Sequence, residues 1–366
     1  MVQLHELTRP TGRPDPLGVR ARARRNGALV AALTLLLVLS AAAATATGAI
    51  PVPPGTVADI LAHAVLGTPA GDGWTPDQEA IVWAVRAPRV LLALAVGAGL
   101  AVCGAALQAM TRNLLADPYV LGVNSGASCG AAAAILFGVG AGLGPYSLPG
   151  SAFAGALAAS LLVFAVARTS GTVTSVRLLL AGVAVGYALS AATSFLVFAS
   201  TSAEGARSVM FWLLGSLALA QWGTPLLVVV VVVALTCAVL AWWAPGLDAL
   251  AVGDETARTL GVSPAAFRTR LLVLVALAVG VLVAASGSIG FVGLVVPHLA
   301  RRLVGVGHRW VVPVSALLGA VLLLWADVLA RMVMQPQELP IGIVTALVGA
   351  PFLLHLVRTQ RSVAAR

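Results

Sequence analysis

The 366-residue chain is organised as a series of long apolar runs separated by short polar segments. A membrane-spanning helix needs about 20 mostly apolar residues. Ten runs approach that length, with approximate limits 27–49, 87–110, 119–139, 148–167, 177–199, 223–243, 268–285, 288–303, 311–331 and 340–357. The runs do not alternate with a period of two, which argues against a transmembrane β-barrel. The pattern predicts an all-α, polytopic integral membrane protein with about ten transmembrane helices.

The same pattern divides the chain into three parts. A basic N-terminal tail (1–26) precedes a transmembrane domain (27–358), and a C-terminal tail (359–366) follows it. The start of the chain also resembles a signal peptide, but its apolar run is too long for a typical signal core, so we expect it to be retained as the first span. A shorter apolar piece, 210–214, predicts a re-entrant or interfacial helix.

Composition excludes several classes of protein. The chain is 60% hydrophobic and 10% charged, with a mean hydropathy of +1.00, whereas a soluble domain carries about 25% charged residues. All 22 basic residues are arginines. Without lysine the chain can form neither a GxxxxGK[ST] phosphate loop nor a Schiff base.

The arginines also predict the topology. With the N-terminus inside, 18 of the 22 arginines lie on the inner side of the membrane. This strong positive-inside bias predicts that both termini are cytoplasmic. The net charge of +9 therefore reflects topology rather than nucleic-acid binding.

Residues typical of catalysis or metal binding are scattered. No two of the five histidines have metal-ligand spacing, and the three cysteines fall in apolar runs. No nucleophile and base form a recognisable pair. The sequence predicts no metal site, no cofactor site and no enzyme activity in this chain.

Small residues recur at helical spacing in two of the runs. In the second run, Gly97 and Ala101 belong to a stripe that we interpret as helix packing. In the fifth run, the stripe includes hydroxyl groups and is formed by Gly182, Gly186, Ser190 and Ser194. This second stripe is compatible with helix packing and equally with a wall that faces a pathway.

One long inner loop, about 246–268, has the pattern of two short helices. Asp254 is a suitable N-cap, and Gly261 can end the helix in a left-handed conformation. Ser263 and Pro264 then predict the start of the next helix. We expect Ala257 and Leu260 to be exposed on a compact knob that contacts a cytoplasmic partner. The alternative is an ordinary solvated connection.

Arginines on the outer side run against the topological bias. Arg86 and Arg89 flank Pro88 at the start of the second run, and Arg331 ends the ninth, where Asp327 can pair with it at i,i+4. Exposed guanidinium groups there predict an acidic partner on the outer face. Alternatively, these side chains reach the lipid headgroups.

These motifs, in this order, resemble the FecCD-type permeases of ABC importers for iron-siderophores, haem and cobalamin. The resemblance covers the chain from about residue 80 onward, and Leu114 departs from it where the family usually has proline. It rests on Arg86-Ala-Pro-Arg89, 104–118 with Leu121-Gly122, 177–182, 253–262, 290–298, 326–331, 338–342 and 349–352.

The resemblance implies a fold, partners and site residues. The permease would pair two-fold with itself or with a paralogue in the bacterial cell (inner) membrane. It would work with two ATPase subunits that bind the ATP and with an extracytoplasmic substrate-binding protein. The implied residues are Arg86, Arg89 and Arg331 for binding-protein docking; Asp254, Glu255, Ala257, Leu260, Gly261 and Val262 for ATPase coupling; Thr174 and Ser175 for a cytoplasmic gate; and Gly182, Gly186, Ser190 and Ser194 for the translocation path.

The resemblance also implies a cargo that enters already chelated. We expect a ferric-siderophore-type chelate, with haem and cobalamin as alternatives. An ion-coupled secondary transporter is a less favoured class, because such proteins use buried charges near the middle of the membrane. Here Asp327 and Arg331 lie near one end of a run, and the other runs are nearly free of charge.

Overall fold

The computed structural model describes residues 18–68, 73–168 and 174–364. The described residues form helices and contain no β-strand. In the first part of the chain the helices are α1 (Val19–Ala46), α2 (Pro54–Leu66), α3 (Pro76–Glu79), α4 (Ala87–Thr111), α5 (Val123–Phe137) and α6 (Ser147–Arg168). A π-helical segment (Ala80–Arg86) joins α3 to α4, and two 3₁₀ segments (Pro118–Leu121, Ala141–Tyr146) precede α5 and α6.

The second part of the chain continues the helical bundle. It contains α7 (Ser175–Ala199), α8 (Ala203–Leu213), α9 (Thr224–Trp242), α10 (Ala244–Val252), α11 (Asp254–Thr259), α12 (Pro264–Ser286), α13 (Val292–Val304), α14 (His308–Met332) and α15 (Ile341–Ala364). The apolar piece at 210–214 forms the end of α8.

All ten predicted runs form helices, but they differ in length. Seven helical stretches in the described part of the chain are long and apolar enough to cross a membrane: Val19–Ala46, Pro76–Thr111, Ala141–Arg168, Val176–Ala199, Thr224–Trp242, Pro264–Ser286 and His308–Met332. The other three runs correspond to α5 with 15 residues, α13 with 13, and an apolar stretch Ile341–Leu356 in α15. At 1.5 Å per residue, α13 is only about 20 Å long. The protein is therefore an all-α, multi-span membrane protein in which three of the expected spans are short.

The predicted tails differ from the observed helix limits. Residues 1–17 of the predicted N-terminal tail lie outside the described residues, and α1 already begins at Val19 rather than at 27. At the other end, α15 continues through Ala364 into the predicted C-terminal tail, and residues 365–366 lie outside the description.

Helix α4 packs along α14 through small residues. A Cβ atom on Gly97 would overlap the carbonyl oxygen of Gly319, and one on Gly319 would meet Gly97 and Ala101. The two backbones are thus in direct contact near the middle of both helices. This confirms the interpretation of the second-run stripe as helix packing, and it makes α4 and α14 a closely joined pair.

The chain between α12 and α13 interrupts the helices inside the bundle. Ile289 lies there fully buried, and Tyr119 supplies both of its backbone partners. The Tyr119 hydroxyl donates to the Ile289 carbonyl oxygen at 2.9 Å and accepts from the Ile289 N–H at 2.8 Å. Nearby, the Ser216 N–H donates to the Ser286 carbonyl oxygen at 2.9 Å. These bonds satisfy main-chain groups that helices would otherwise satisfy internally.

Candidate functional site

The structure places the residues implied by the resemblance at three locations. Two of them lie at opposite ends of α4 and α14, and the third lies along α7. We describe the end that carries Arg86, Arg89, Arg331, Asp327 and Glu338 as the arginine cluster. We call residues 244–262, at the opposite end, the α10–α11 segment.

In the arginine cluster, Arg89 is held by two carboxylates. Its Nε and Nη2 atoms donate to Asp327 Oδ1 at 3.0 and 2.9 Å, and Nη1 donates to Glu338 Oε1 at 3.0 Å. The side chains of Arg89 and Asp327 are 8% and 1% exposed, whereas that of Glu338 is 44% exposed. A buried charge is tolerated only when it is paired and hydrogen-bonded in this way.

The other two arginines bind the end of α1. Arg86 Nη1 donates to the carbonyl oxygens of Thr45 and Ala46 at 2.9 and 3.1 Å, and its Nη2 donates to that of Ile50. Arg331 donates to the carbonyl oxygens of Thr47 and Ala44 at 3.3 and 3.4 Å. The last carbonyls of a helix lack partners within it and carry its negative dipole end, so two cations satisfy them here.

The expectation that these three arginines are exposed was wrong. Arg86 and Arg89 are buried, and the Arg331 side chain is 9% exposed. The reason is that α1 carbonyls, Asp327 and Glu338 converge on the guanidinium groups. The predicted i,i+4 pair is confirmed, with Arg331 Nε 3.1 Å from Asp327 Oδ2. A docking role for these arginines stays a prediction.

At the opposite end, Asp254 ties α11 to two other helices. Its carboxylate accepts from Arg268 Nη1 and Nη2 of α12 at 2.9 and 2.6 Å, and Arg112 Nη2, at the end of α4, lies 3.6 Å away. The hydrogen bonds from Arg268 hold the pKa of the Asp254 carboxyl below its usual value, and the charges of Arg268, Arg112 and Arg258 act in the same direction.

A second carboxylate in the same segment binds α14. Asp248 Oδ1 accepts from the main-chain N–H of His308 at 2.9 Å and lies 2.6 Å from the His308 ring Nδ1. The residue before α14, Gly307, offers no capping side chain. Asp248 of α10 therefore caps α14 from outside that helix. The sequence analysis missed this pair, because 60 residues separate its members.

The α10–α11 segment differs from the predicted knob: its two short helices meet at Gly253, and the helix that follows Gly261 is the 23-residue α12. Asp254 is the first residue of α11 rather than its N-cap, because its carboxylate binds Arg268 instead of local N–H groups. Ala257 is completely buried rather than exposed, since its methyl group packs into the main core, the cluster of buried apolar residues that includes Leu250 and Leu271. Leu260 is exposed as expected, and Gly261 has the predicted left-handed conformation with φ +79°.

The remaining residues of this segment follow the prediction more closely. Glu255 is exposed in the first turn of α11, and Val262 is half-buried against the main core. Ser263 occupies the N-cap position of α12, and Pro264 its first turn, as predicted.

The residues implied for the gate lie at the start of α7. Thr174 is the N-cap residue, and its hydroxyl accepts from the Arg177 N–H at 3.5 Å. Helix α7 begins at Ser175, whose side chain lies outside the described residues. The gate role of both residues stays a prediction.

The fifth-run stripe divides between packing and exposure. A Cβ atom on Gly182 would overlap the Val120 carbonyl oxygen, so this glycine serves close packing. Gly186 is half-buried, whereas Ser190 and Ser194 are exposed. The packing interpretation is confirmed for Gly182, and a pathway role for the exposed half of the stripe stays a prediction.

Helix α5 adds a hydroxyl that the sequence analysis missed. Ser125 Oγ lies 3.4 Å from Ser190 Oγ, and Tyr187, one turn before Ser190, is 77% exposed. The signal in the sequence was the small polar run at 123–128, which follows the helix break at 118–121. Hydroxyl groups from two helices thus share one open face.

The described residues contain no group of three or more histidine, cysteine or acidic side chains placed to hold a metal ion.

Comparison with known proteins gives a consistent result. The sequence model of the FecCD transport family matches residues 33–359. The hemin transport system permease protein HmuU of Yersinia pestis is 44% identical over 279 residues, which cover 76% of this chain and 83% of that protein. The cobalamin import system permease protein BtuC of Halobacterium salinarum is 40% identical over 350 residues, covering 95% and 90%.

One more relative and one solved structure extend the comparison. The Fe(3+)-citrate import system permease protein YfmD of Bacillus subtilis is 40% identical over 290 residues, covering 78% of this chain and 83% of the relative. A solved inward-facing metal-chelate type ABC transporter superposes with a TM-score of 0.79 at 35% identity, covering 91% of this chain and 99% of that one.

Proposed function

This chain belongs to the FecCD transport family, and from that premise we propose that it forms the membrane path by which a ferric-siderophore-type chelate enters the cytoplasm. It is a membrane permease of the ABC-importer class and not a catalytic subunit. In our proposal ATP is hydrolysed by two separate ATPase subunits, and a substrate-binding protein delivers the cargo from outside. Both termini then face the cytoplasm of a cell whose inner membrane holds the protein.

The proposed cargo class is supported by the relatives, whose names state hemin, cobalamin and Fe(3+)-citrate. All three are metal chelates. We propose a ferric-siderophore-type chelate, with haem and cobalamin as the alternatives within the same mechanism. The chelating ligands supply the metal coordination, so the permease itself needs no metal ligands.

The observation that carries the proposal is the attachment of the α10–α11 segment to three helices. Asp254 bonds Arg268 of α12 and lies 3.6 Å from Arg112 at the end of α4, and Asp248 caps α14. A push on the exposed Leu260 would therefore move the ends of α4, α12 and α14 together. We propose that closure of the ATPase subunits on Leu260, Gly261 and Val262 drives alternating access in this way.

We propose that two copies, or this chain and a paralogue, enclose the path between them. The open face of Tyr187, Ser190 and Ser194 supports this, because an exposed hydroxyl stripe in a membrane helix favours a water-filled lumen over lipid. Thr174 and Ser175, at the start of the same helix, would close the path on the cytoplasmic side.

Docking of the binding protein needs a modified interpretation, since the three arginines are buried. Glu338 is the exposed partner of Arg89. We propose that a carboxylate of the binding protein replaces Glu338 on Arg89, with Arg86 and Arg331 holding the surrounding chain in place. The docking site would then open only when its internal partner leaves.

The proposal is tested by transport in proteoliposomes that contain this chain, its ATPase and its binding protein. We expect ATP-dependent accumulation of one labelled cargo from a panel of ferric siderophores, ferric citrate, haem and cobalamin. A matched preparation with a hydrolysis-deficient ATPase should accumulate none. Accumulation of haem or cobalamin alone would select the corresponding alternative, and uptake driven by an ion gradient without ATP would refute the importer.

A further inference from the structure

Helix α13 contains two backbone irregularities in its first half. Its N-cap residue, Phe291, has φ +70°, a left-handed conformation that residues other than glycine rarely adopt. Pro297 stands inside the helix and has no N–H to donate to the carbonyl oxygen of Gly293, four residues earlier. A helix bends most easily where proline removes such a bond. Pro297 therefore marks the point at which α13 can bend.

A buried glutamine of α4 supplies the missing donor. Gln108 is 2% exposed, and its Nε2 lies 3.3 Å from the carbonyl oxygens of both Gly293 and Leu294 and 3.4 Å from that of Ala116. A side-chain amide carries two N–H groups, so three acceptors share two hydrogens here. An amide in this position can exchange one acceptor for another while both of its hydrogens stay bonded.

The same amide also bonds the second half of α13. Arg301, which follows Pro297 by about one turn, donates from Nη1 to Gln108 Oε1 at 2.6 Å. Gln108 thus contacts α13 on both sides of Pro297, so a bend there changes the distance between its two attachment points. The second half of α13 leads to His308, whose main-chain N–H bonds Asp248 of the α10–α11 segment. Movement of that segment would therefore reach Arg301 through the last turn of α13.

The third contact of Gln108 lies toward α7. Ala116 belongs to the connection between α4 and the 3₁₀ segment Pro118–Leu121. A Cβ atom on Gly182 of α7 would overlap the Val120 carbonyl oxygen of that segment. The amide therefore stands between α13 and the segment that packs against α7, the helix with the exposed hydroxyl groups.

We propose that Gln108 is a positioning residue for transport, which passes a bend of α13 at Pro297 to the 3₁₀ segment and so to α7. Movement of the α10–α11 segment shifts Arg301, Arg301 turns the Gln108 amide, and Nε2 exchanges a carbonyl oxygen of α13 for that of Ala116. The inference rests on the importer function proposed above and adds the link between its ATPase end and its path. A purely structural role gives a different expectation, because restoring the bond to Gly293 within α13 would then make the glutamine dispensable.

The test compares stability with coupling. Pro297→Ala returns an N–H to the Gly293 carbonyl oxygen, so the unfolding temperature of the purified chain in detergent should hold or rise. Its ratio of cargo moved to ATP hydrolysed in the proteoliposomes described above should nevertheless fall severalfold, because α13 bends less. The cargo is the one that the unmodified chain accumulates from the same panel of ferric siderophores, ferric citrate, haem and cobalamin. A normal ratio in Pro297→Ala would overturn the proposal.

Variants of Gln108 separate positioning from structural support. Gln108→Leu should lower both the unfolding temperature and the ratio of cargo to ATP. Adding Pro297→Ala to it should recover part of the unfolding temperature but not the ratio. Recovery of both would show that Gln108 only satisfies the Gly293 carbonyl oxygen, and it would overturn the proposal.

Thr111→Val is the matched control on the same helix. The buried Thr111 hydroxyl donates to the Leu107 carbonyl oxygen of α4 itself at 2.8 Å, so its loss should leave the ratio normal. An equal fall of the ratio in Thr111→Val would overturn the specific role of Gln108. An unmodified chain that moves no cargo would refute the importer and this role with it, whereas normal ratios in both single variants would refute only the role of Gln108.

Discussion

Asp248 of α10 caps α14 by accepting the main-chain N–H of His308 at 2.9 Å, with the His308 ring Nδ1 only 2.6 Å from the same oxygen. Helix α14 runs from this contact to Asp327 and Arg331 in the arginine cluster, about 30 Å away at 1.5 Å per residue. A carboxylate thus fixes each end of α14 to another helix: Asp248 of α10 binds its first residue, and its own Asp327 binds Arg89 of α4.

Removing this contact should uncouple hydrolysis from transport. We expect Asp248→Ala to lower cargo uptake by tenfold or more while ATP hydrolysis in the reconstituted importer continues, because α14 would no longer follow α10. Asp248→Asn keeps an acceptor for the His308 N–H and should restore much of the uptake. The ratio of cargo moved to ATP hydrolysed measures the effect, and a normal ratio in Asp248→Ala would exclude the role.

The exposed tip of the α10–α11 segment should be the contact for the ATPase. Leu260 is 67% exposed. We expect Leu260→Asp to abolish copurification of the ATPase with the permease, since a charge would be buried on binding. Leu219 is 77% exposed at a different place in the chain and serves as the matched control. If Leu219→Asp reduced copurification equally, the assignment would fail.

The arginine cluster yields opposite predictions for its two carboxylates. Glu338→Gln should tighten docking of the binding protein several-fold, because Arg89 would lose its exposed competing partner. Surface plasmon resonance with the permease in nanodiscs measures the affinity. Unchanged affinity would argue against replacement of Glu338 by a carboxylate of the binding protein.

Asp327→Asn should instead weaken the fold. Its carboxylate is buried and pairs with both Arg89 and Arg331, so the change leaves Arg331 with no carboxylate partner and Arg89 with Glu338 alone. Breaking a buried pair costs about 3–5 kcal/mol. A thermal-unfolding scan in detergent should show a marked loss for Asp327→Asn and a small one for Glu338→Gln. Equal losses would contradict the structural distinction between the two carboxylates.

The Asp254 ion pair predicts a dependence on pH. Its lowered pKa means that the paired carboxylate stabilises the folded state above the unfolded-state pKa, about 3.9. That contribution is lost as the pH falls through the lower, folded-state pKa. The unfolding temperature of the Asp254→Asn variant should therefore fall less than that of the unmodified chain when the pH is lowered from about 5 to about 3. The same detergent assay measures both. Identical pH profiles would exclude the pair as a source of stability.

The sequence predicts the helices well because apolar runs and their polar breaks are local features. The left-handed Gly261, the Ser263 N-cap position and the Arg331–Asp327 pair all depend on residues a few positions apart, and the structure confirms them. The burial of Ala257 depends on which helix lies above it, which local pattern does not encode.

The predicted exposure of the outer arginines failed for the same reason. Arg86 is buried because the end of α1, about 40 residues earlier, brings its carbonyls to the guanidinium group. The topological rule counts charges on each side of a membrane and contains no information about their partners. The contact between Asp248 and His308 was not predicted for the same reason, since neither residue lies in a local pattern that indicates the other.

Tyr119 acts at Ile289 as a water molecule would, with one oxygen that both gives and takes a hydrogen bond. Ile289 is 1% exposed and lies outside the helices, so its main-chain groups need a partner from within the protein, and the Tyr119 side chain supplies it. The substitution Tyr119→Phe keeps the ring but removes the hydroxyl, so the N–H and the carbonyl of Ile289 would both lose their partner. Each unsatisfied group costs about 1–3 kcal/mol of stability. A single hydroxyl at position 119 thus allows the chain to leave helical geometry between α12 and α13 while both main-chain groups of Ile289 keep a hydrogen-bond partner.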